Sequence, residues 1–125
     1  MEYRMNRRTG DQISVLGLGT SSIASAGERE GVKTLHLAFE QGINYFDLAT
    51  AESENFPTFG KAFSHCRDKV FYQIHFGAVY GPGRSYSWTT DLKTVQRSVD
   101  WQRKALDTDY IDYGFIHCLD EASDW

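Results

Sequence analysis

The sequence predicts an α/β chain built on a parallel sheet, and two observations carry that reading. Short apolar, β-branched or aromatic runs (13–19, 43–47, 70–75 and 110–117) alternate with stretches of helical periodicity (28–41, 54–63 and 90–106). That order gives strands joined by helical crossovers. Three of the runs also close on a residue capable of acid–base chemistry: Asp47, His75 and His117. In such folds sites are built at the carboxyl ends of parallel strands. Asp47, which closes Gly42-Ile43-Asn44-Tyr45-Phe46-Asp47, is therefore the residue against which the others are weighed.

The elements follow in order. Residues 3–15 read as two short strands around the turn cluster Arg8-Thr9-Gly10-Asp11, so a hairpin occupies 1–15. The run into Gly17-Leu18-Gly19-Thr20 has the glycines of a strand end that another backbone approaches closely. A helix over 28–41 places Val32, Leu35, Ala38 and Phe39 on one face, with Glu28 and Glu30 at its electropositive start and Gly42 as its cap. A weaker helix over 54–63 carries Pro57 in its first turn and Phe59, Ala62 and Phe63 as apolar positions. Cys66-Arg67-Asp68-Lys69 is a polar turn before the strand at 70–75, and 76–89 is a long glycine-containing loop. Thr90 is the expected N-cap of a helix reaching about Leu106, with Leu92, Val95 and Val99 on one face. The last strand spans 110–117.

The totals exclude some functions. A length of 125 residues suits one domain. Lys+Arg 13 against Asp+Glu 17 gives a charge of -4 without a basic stretch, which argues against a nucleic-acid partner. No apolar run approaches the roughly 20 residues of a membrane span. Met1 to Arg8 is polar and basic, unlike a signal peptide. Cys66 and Cys118 stand apart without paired spacing, so reduced thiols and a cytoplasmic location are expected. Gly17-Leu18-Gly19 lacks the third glycine of a dinucleotide fingerprint, and the segment before the next helix is too long for that motif.

Several segments together resemble the aldo-keto reductase family. Ser14-Val15-Leu16-Gly17-Leu18-Gly19-Thr20 is similar to its first barrel strand and Gly42 to Asp47 to its second. Arg67-Asp68-Lys69-Val70-Phe71 resembles the approach to the third, and Asp107-Thr108-Asp109-Tyr110-Ile111-Asp112 through Ile116-His117 the fourth. His75-Phe76-Gly77-Ala78 looks closer to a divergent branch whose barrel is often followed by an iron–sulfur domain. The resemblance implies the first half of a (β/α)8 barrel closed below by the N-terminal hairpin, with two open edges through which the chain could self-associate. It implies hydride transfer from NADP(H) to a small carbonyl substrate in the complete protein, and no cofactor binding by this chain alone.

The family uses an Asp, a Tyr, a Lys and a His. Asp47 and His117 match the first and last; Glu52 stands where the Tyr is expected and His75 where the Lys is expected. Gly19, Thr20 and Asp47 are the implied cofactor contacts. His75 could serve as proton donor, since imidazole titrates near 6.5, and Tyr80 or Tyr86 could supply the missing phenol. The bland readings stay beside these. Asp47, His75 and His117 also read as a paired polar layer with Tyr45, Gln73 and Tyr113, which strand parity puts on the same side. Glu52 reads equally as a loop acid or, with Ser53 and Glu54, as a helix start. His36, His65, Trp88 and Trp101 read as structural. Two imidazoles and a carboxylate also suit a metal-dependent hydrolase, and a non-catalytic scaffold is the third class.

Overall fold

The computed structural model describes residues 1–82, 85–117, 119–121 and 123. In chain order the elements are β1 (Tyr3–Met5), β2 (Gln12–Ser14), β3 (Leu18–Gly19), α1 (Glu28–Glu40), β4 (Tyr45–Asp47), α2 (Asn55–Phe63), β5 (Phe71–Phe76), β6 (Ala78–Gly81), β7 (Ser85–Trp88), α3 (Leu92–Ala105) and β8 (Tyr113–Ile116). Strands β3, β4, β5 and β8 lie side by side in that order, all parallel. They form a four-stranded α/β sheet, open at both edges, rather than a closed barrel. β1 and β2 pair antiparallel, and Tyr113 at the start of β8 bonds Asp11 and Asn6 of their connection, which seats the hairpin under the amino end of the sheet.

One face of the sheet packs on α1 and α2. Phe46, Leu48, Tyr72 and Ile74 point to that side and are fully buried against Leu35, Phe56, Phe59 and Phe63. The rings interlock, with Phe46 and Phe63 centroids 4.9 Å apart and Phe46 and Phe59 5.7 Å apart. Burying each such side chain is worth about 1.5–3 kcal/mol, so this layer supplies most of the adhesion. α2 is the most buried helix; Phe56, which is not among the apolar positions expected for it, is entirely enclosed.

Gly60 is where α2 meets the end of α3. A Cβ there would lie 2.8 Å from the Leu106 carbonyl oxygen and 2.9 Å from its carbon, backbone atoms that cannot swing aside. Gly60→Ala should therefore destabilise the chain by about 1–3 kcal/mol despite the higher helix propensity of alanine, as read from urea unfolding midpoints; an unchanged or raised midpoint would mean the contact is looser than drawn.

α1 ends as expected, one residue earlier. Gly42 (φ 92°) donates to the Phe39 carbonyl and Ile43 to the Ala38 carbonyl, the paired bonds of a Schellman motif.

Other expectations need correction. The run 13–19 is not one strand. Ser14 ends the hairpin, Val15 and Leu16 are exposed in a turn, and only Leu18–Gly19 joins the sheet. The Ser14 N–H is claimed by Asn44 Oδ1 and its hydroxyl by the Leu16 carbonyl, which bends the chain away from β4. Likewise 43–47 shortens to Tyr45–Asp47 and 110–117 to Tyr113–Ile116. The expected loop at 76–89 contains the β6–β7 hairpin, with Ala78 opposite Trp88 and Tyr80 opposite Tyr86. It leaves β5 through Gly77 (φ 98°), whose carbonyl accepts the Thr89 N–H at 2.8 Å. The N-cap of α3 is Asp91 rather than Thr90: its carboxylate accepts the Thr94 N–H at 2.8 Å and the Thr94 hydroxyl at 2.6 Å. Leu92 is 81% exposed and does not belong to the buried face of α3, which presents Ser98 and Gln102 instead. Ser98 is drawn inward by a bond from its hydroxyl to the Ala78 carbonyl.

Candidate active site

Because strand side chains alternate, Tyr45 and Asp47, Gln73 and His75, and Tyr113 and Phe115 occupy the face of the sheet opposite the helices. Asp47 sits in register with Gln73, and His75 with Phe115. His117 follows β8 directly, its N–H donating to the Phe76 carbonyl at 2.8 Å. The three strand-end residues singled out by sequence therefore meet at one rim.

They meet in a line. Asp47 Oδ1 lies 2.9 Å from Gln73 Nε2 and 3.1 Å from His75 Nε2. The opposite nitrogen of that ring, His75 Nδ1, lies 3.0 Å from His117 Nδ1. His117 Nε2 contacts the Tyr86 hydroxyl, brought over from β7 by the hairpin. Gln73 is itself held by Tyr45, whose hydroxyl donates to Gln73 Oε1 at 2.8 Å. Among the described residues the result is a continuous chain of carboxylate, imidazole, imidazole and phenol.

The contacts fix most of the protons. Asp47 needs donors, so Gln73 turns its NH₂ to it, and the same nitrogen is 2.8 Å from His75 Nε2. Neutral His75 therefore accepts at Nε2 and carries its proton on Nδ1, donating to His117 Nδ1. When protonated, His75 adds an Nε2–H that finds Asp47. In both states His117 carries its proton on Nε2, facing the Tyr86 oxygen. This geometry does not serve a metal: Asp47 and His117 address opposite nitrogens of the His75 ring, so one ion cannot take all three, and the described residues contain no other His/Cys/Asp/Glu group able to hold one.

Burial, and then the neighbouring His75, hold His117 below the ordinary imidazole value. Its folded pKa is thus lower than the roughly 6.5 of the unfolded chain, so in acid the unfolded state binds more protons and stability falls as the pH drops beneath that value. The urea midpoint should be lower at about pH 5.5 than at about pH 7.5, and His117→Gln should shrink that difference; an equal difference in the variant would place the titration elsewhere.

The other expected residues fall as follows. Glu52 lies in the turn before α2, its N–H donating to Thr50 Oγ1, and the chain from Asp47 to Tyr86 does not run through it. His36 ties α1 to α2 through the Ala62 carbonyl at 2.8 Å. Trp101 stacks on Tyr80, centroids 5.6 Å apart. Tyr80 is half-buried, its hydroxyl faces the Leu48 carbonyl, and burial pushes its phenol well above the usual range. Cys66 is a free buried thiol; Cys118 lies outside the described residues. Two participants escaped the sequence reading. The sequence places Gln73 only as a neighbour in the layer, and the glycines of 76–89 mask the hairpin that delivers Tyr86, although Ser85-Tyr86-Ser87-Trp88 alternates as a strand does.

Residues 15–124 match the sequence profile of the Aldo/keto reductase family. The chain belongs to that family. It is 30% identical over 131 residues to aldo-keto reductase YhdN of Bacillus subtilis, covering 96% of this chain and 39% of that protein. It is 29% identical to L-galactose dehydrogenase of Arabidopsis thaliana, with 96% of this chain and 38% of that protein covered. The holo form of aldo-keto reductase AKR11C1 from Bacillus halodurans superposes with a TM-score of 0.80 at 25% identity, over 91% of this chain and 39% of that one. The chain thus spans about two fifths of these aldo/keto reductases, and its open sheet corresponds to part of their barrel.

Aldo/keto reductases imply a nicotinamide cofactor, and the rim has features that fit a polar ligand. Gly19 is in register with Asp47, and a Cβ on it would meet nothing within 4 Å. Thr20, next in the chain, is buried with its hydroxyl lacking a hydrogen-bond partner. An open backbone edge and an orphaned hydroxyl beside Asp47 suit a group that brings its own donors and acceptors.

Proposed function

We propose that this chain forms the first half of the catalytic mouth of a nicotinamide-dependent carbonyl reductase. The observation that carries the reading is the unbroken line from Asp47 through His75 and His117 to Tyr86, at the strand ends where barrel enzymes place their chemistry. The family membership and the holo state of the AKR11C1 structure support it. NADP(H) is the cofactor and a small aldehyde or ketone the substrate. The remaining strands come from further chain or from a second copy pairing at the edges of the sheet, where β8 leaves Phe115 56% exposed; residues 1–125 alone should not bind the cofactor.

When bound, the cofactor supplies a hydride to the carbonyl carbon. This chain's part is to hold and polarise. Gly19 and Thr20 line the cofactor side of the rim beside Asp47, and His117 Nε2 holds the Tyr86 hydroxyl at the rim, where a carbonyl oxygen would meet it. Asp47, with Gln73, holds the His75 ring in line with His117. Glu52, in the place of the family's tyrosine, lies off this line and serves as a flanking acid.

The test is an NADPH titration of the assembled barrel followed through quenching of tryptophan fluorescence, with loss of NADPH absorbance when a panel of small aldehydes and ketones is added. Saturable quenching and carbonyl-dependent oxidation are expected. Neither signal, or a requirement for stoichiometric metal, would favour the scaffold or the hydrolase instead.

A further inference from the structure

Resting on that reading, we infer that Tyr86, from the β6–β7 hairpin, is the acid that protonates the carbonyl oxygen, resupplied through His117 and His75. The position at which the family carries its phenol holds Glu52, and the resemblance leaves the proton donor unassigned. Two tyrosines lie near the rim, and the structure separates them. Tyr80 is half-buried with its hydroxyl turned to the Leu48 carbonyl, whereas the Tyr86 hydroxyl reaches His117 Nε2 and its side chain remains accessible.

The direction of the bonds matters. His75 Nδ1–H donates to His117 Nδ1, which fixes the remaining His117 proton on Nε2, aimed at the Tyr86 oxygen. Tyr86 is thus an acceptor towards His117, and the proton it would give up is the one its own oxygen carries. A hydrogen bond received at the phenol oxygen stabilises the phenolate, as an acid needs.

The step balances. A bound reduced nicotinamide would supply the hydride that forms the new C–H bond at the carbonyl carbon, and would itself be oxidised. The carbonyl oxygen takes the Tyr86 proton. The phenolate takes the His117 Nε2 proton, and His117 Nδ1 takes one from His75 Nδ1. A His75 that enters the step carrying both ring protons leaves it neutral, its remaining proton on Nε2 facing the carboxylate until the Nδ1–H form is restored. Solvent restores the one proton consumed.

The test compares the wild-type barrel with Tyr86→Phe and, as a control, Tyr80→Phe. With NADPH and a reactive aldehyde, Tyr86→Phe should lower kcat by about 10²-fold or more, while NADPH dissociation by fluorescence changes little and Tyr80→Phe keeps most of the rate. The ¹⁵N imidazole spectrum gives a readout independent of turnover: His117 should be the Nε2–H form in the wild type, and its titration should move in Tyr86→Phe. An active wild type with Tyr86→Phe retaining a third or more of kcat overturns the assignment and leaves the reductase reading standing. An imidazole titration unmoved by the loss of the hydroxyl also overturns it. A wild type that oxidises NADPH with no carbonyl overturns both.

Discussion

Replacing Arg67 with leucine should cost about 3–5 kcal/mol, the usual penalty for stranding one partner of a buried ion pair. Arg67 Nη2 is 2.7 Å from Asp112 Oδ2, and the two side chains are only 12% and 14% exposed. The same guanidinium donates to the Val70 carbonyl at 2.8 Å, the Tyr110 carbonyl at 3.2 Å and Thr108 Oγ1 at 3.0 Å. Its plane lies 4.1 Å from the ring centres of both Tyr72 and Tyr110. Asp112 in turn accepts the Tyr72 N–H at 2.8 Å, so the pair clamps the start of β8 to β5. Leucine keeps some of the packing and leaves the carboxylate without its cation. The double variant Arg67→Leu/Asp112→Asn should be more stable than Arg67→Leu alone, because asparagine can still receive the Tyr72 N–H without carrying charge. Urea unfolding of the wild type and the two variants decides it. A single-variant loss under about 1 kcal/mol would mean that the pair behaves like a surface salt bridge.

On the proposed reductase reading, Asp47→Asn should lower the rate of carbonyl reduction by about 10²–10⁴-fold while leaving stability nearly unchanged. The substitution preserves shape. The Asp47 side chain is 37% exposed, so its loss as a charge strands nothing deep in the fold. What it removes is the carboxylate that receives the Nε2–H of His75 when both ring nitrogens carry protons, the end point of the relay. The amide could still accept from Gln73 at its oxygen, so the geometry of the rim should persist and the loss should fall on kcat rather than on folding. Steady-state kinetics with a reactive aldehyde, paired with a thermal melt, separates the two effects. A variant within threefold of wild type would demote Asp47 to a structural residue of the layer.

Much of this architecture could be read from residue order. Alternating apolar runs and helical periods gave four parallel strands in sequence, and Asp47, His75 and His117 lay at their ends because strand length and parity are local properties. The hairpin after β5 was missed because Gly77, Gly81, Pro82 and Gly83 read as breakers; only the pairing of Tyr80 with Tyr86 turns that segment into strands. Gln73 as the joint between Asp47 and His75 depends on the β4–β5 register, which no single segment encodes. Leu92 failed as a core position because α3 is drawn in by Ser98 and Gln102, whose burial depends on partners outside the helix: the Ser98 hydroxyl bonds the Ala78 carbonyl of β6, and Gln102 in turn bonds Ser98. Thr90 lost the cap to Asp91, one residue on, whose carboxylate accepts from both N–H and hydroxyl of Thr94.

The most direct test follows the hydride itself. NADPH carrying deuterium at the transferable position of the nicotinamide is supplied to the assembled barrel with an unlabelled aldehyde, and the alcohol is recovered for mass and NMR analysis. One deuterium is expected on the former carbonyl carbon, with a rate that falls sharply in Asp47→Asn. Alcohol without that deuterium, or label transfer that is indifferent to Asp47, would contradict it.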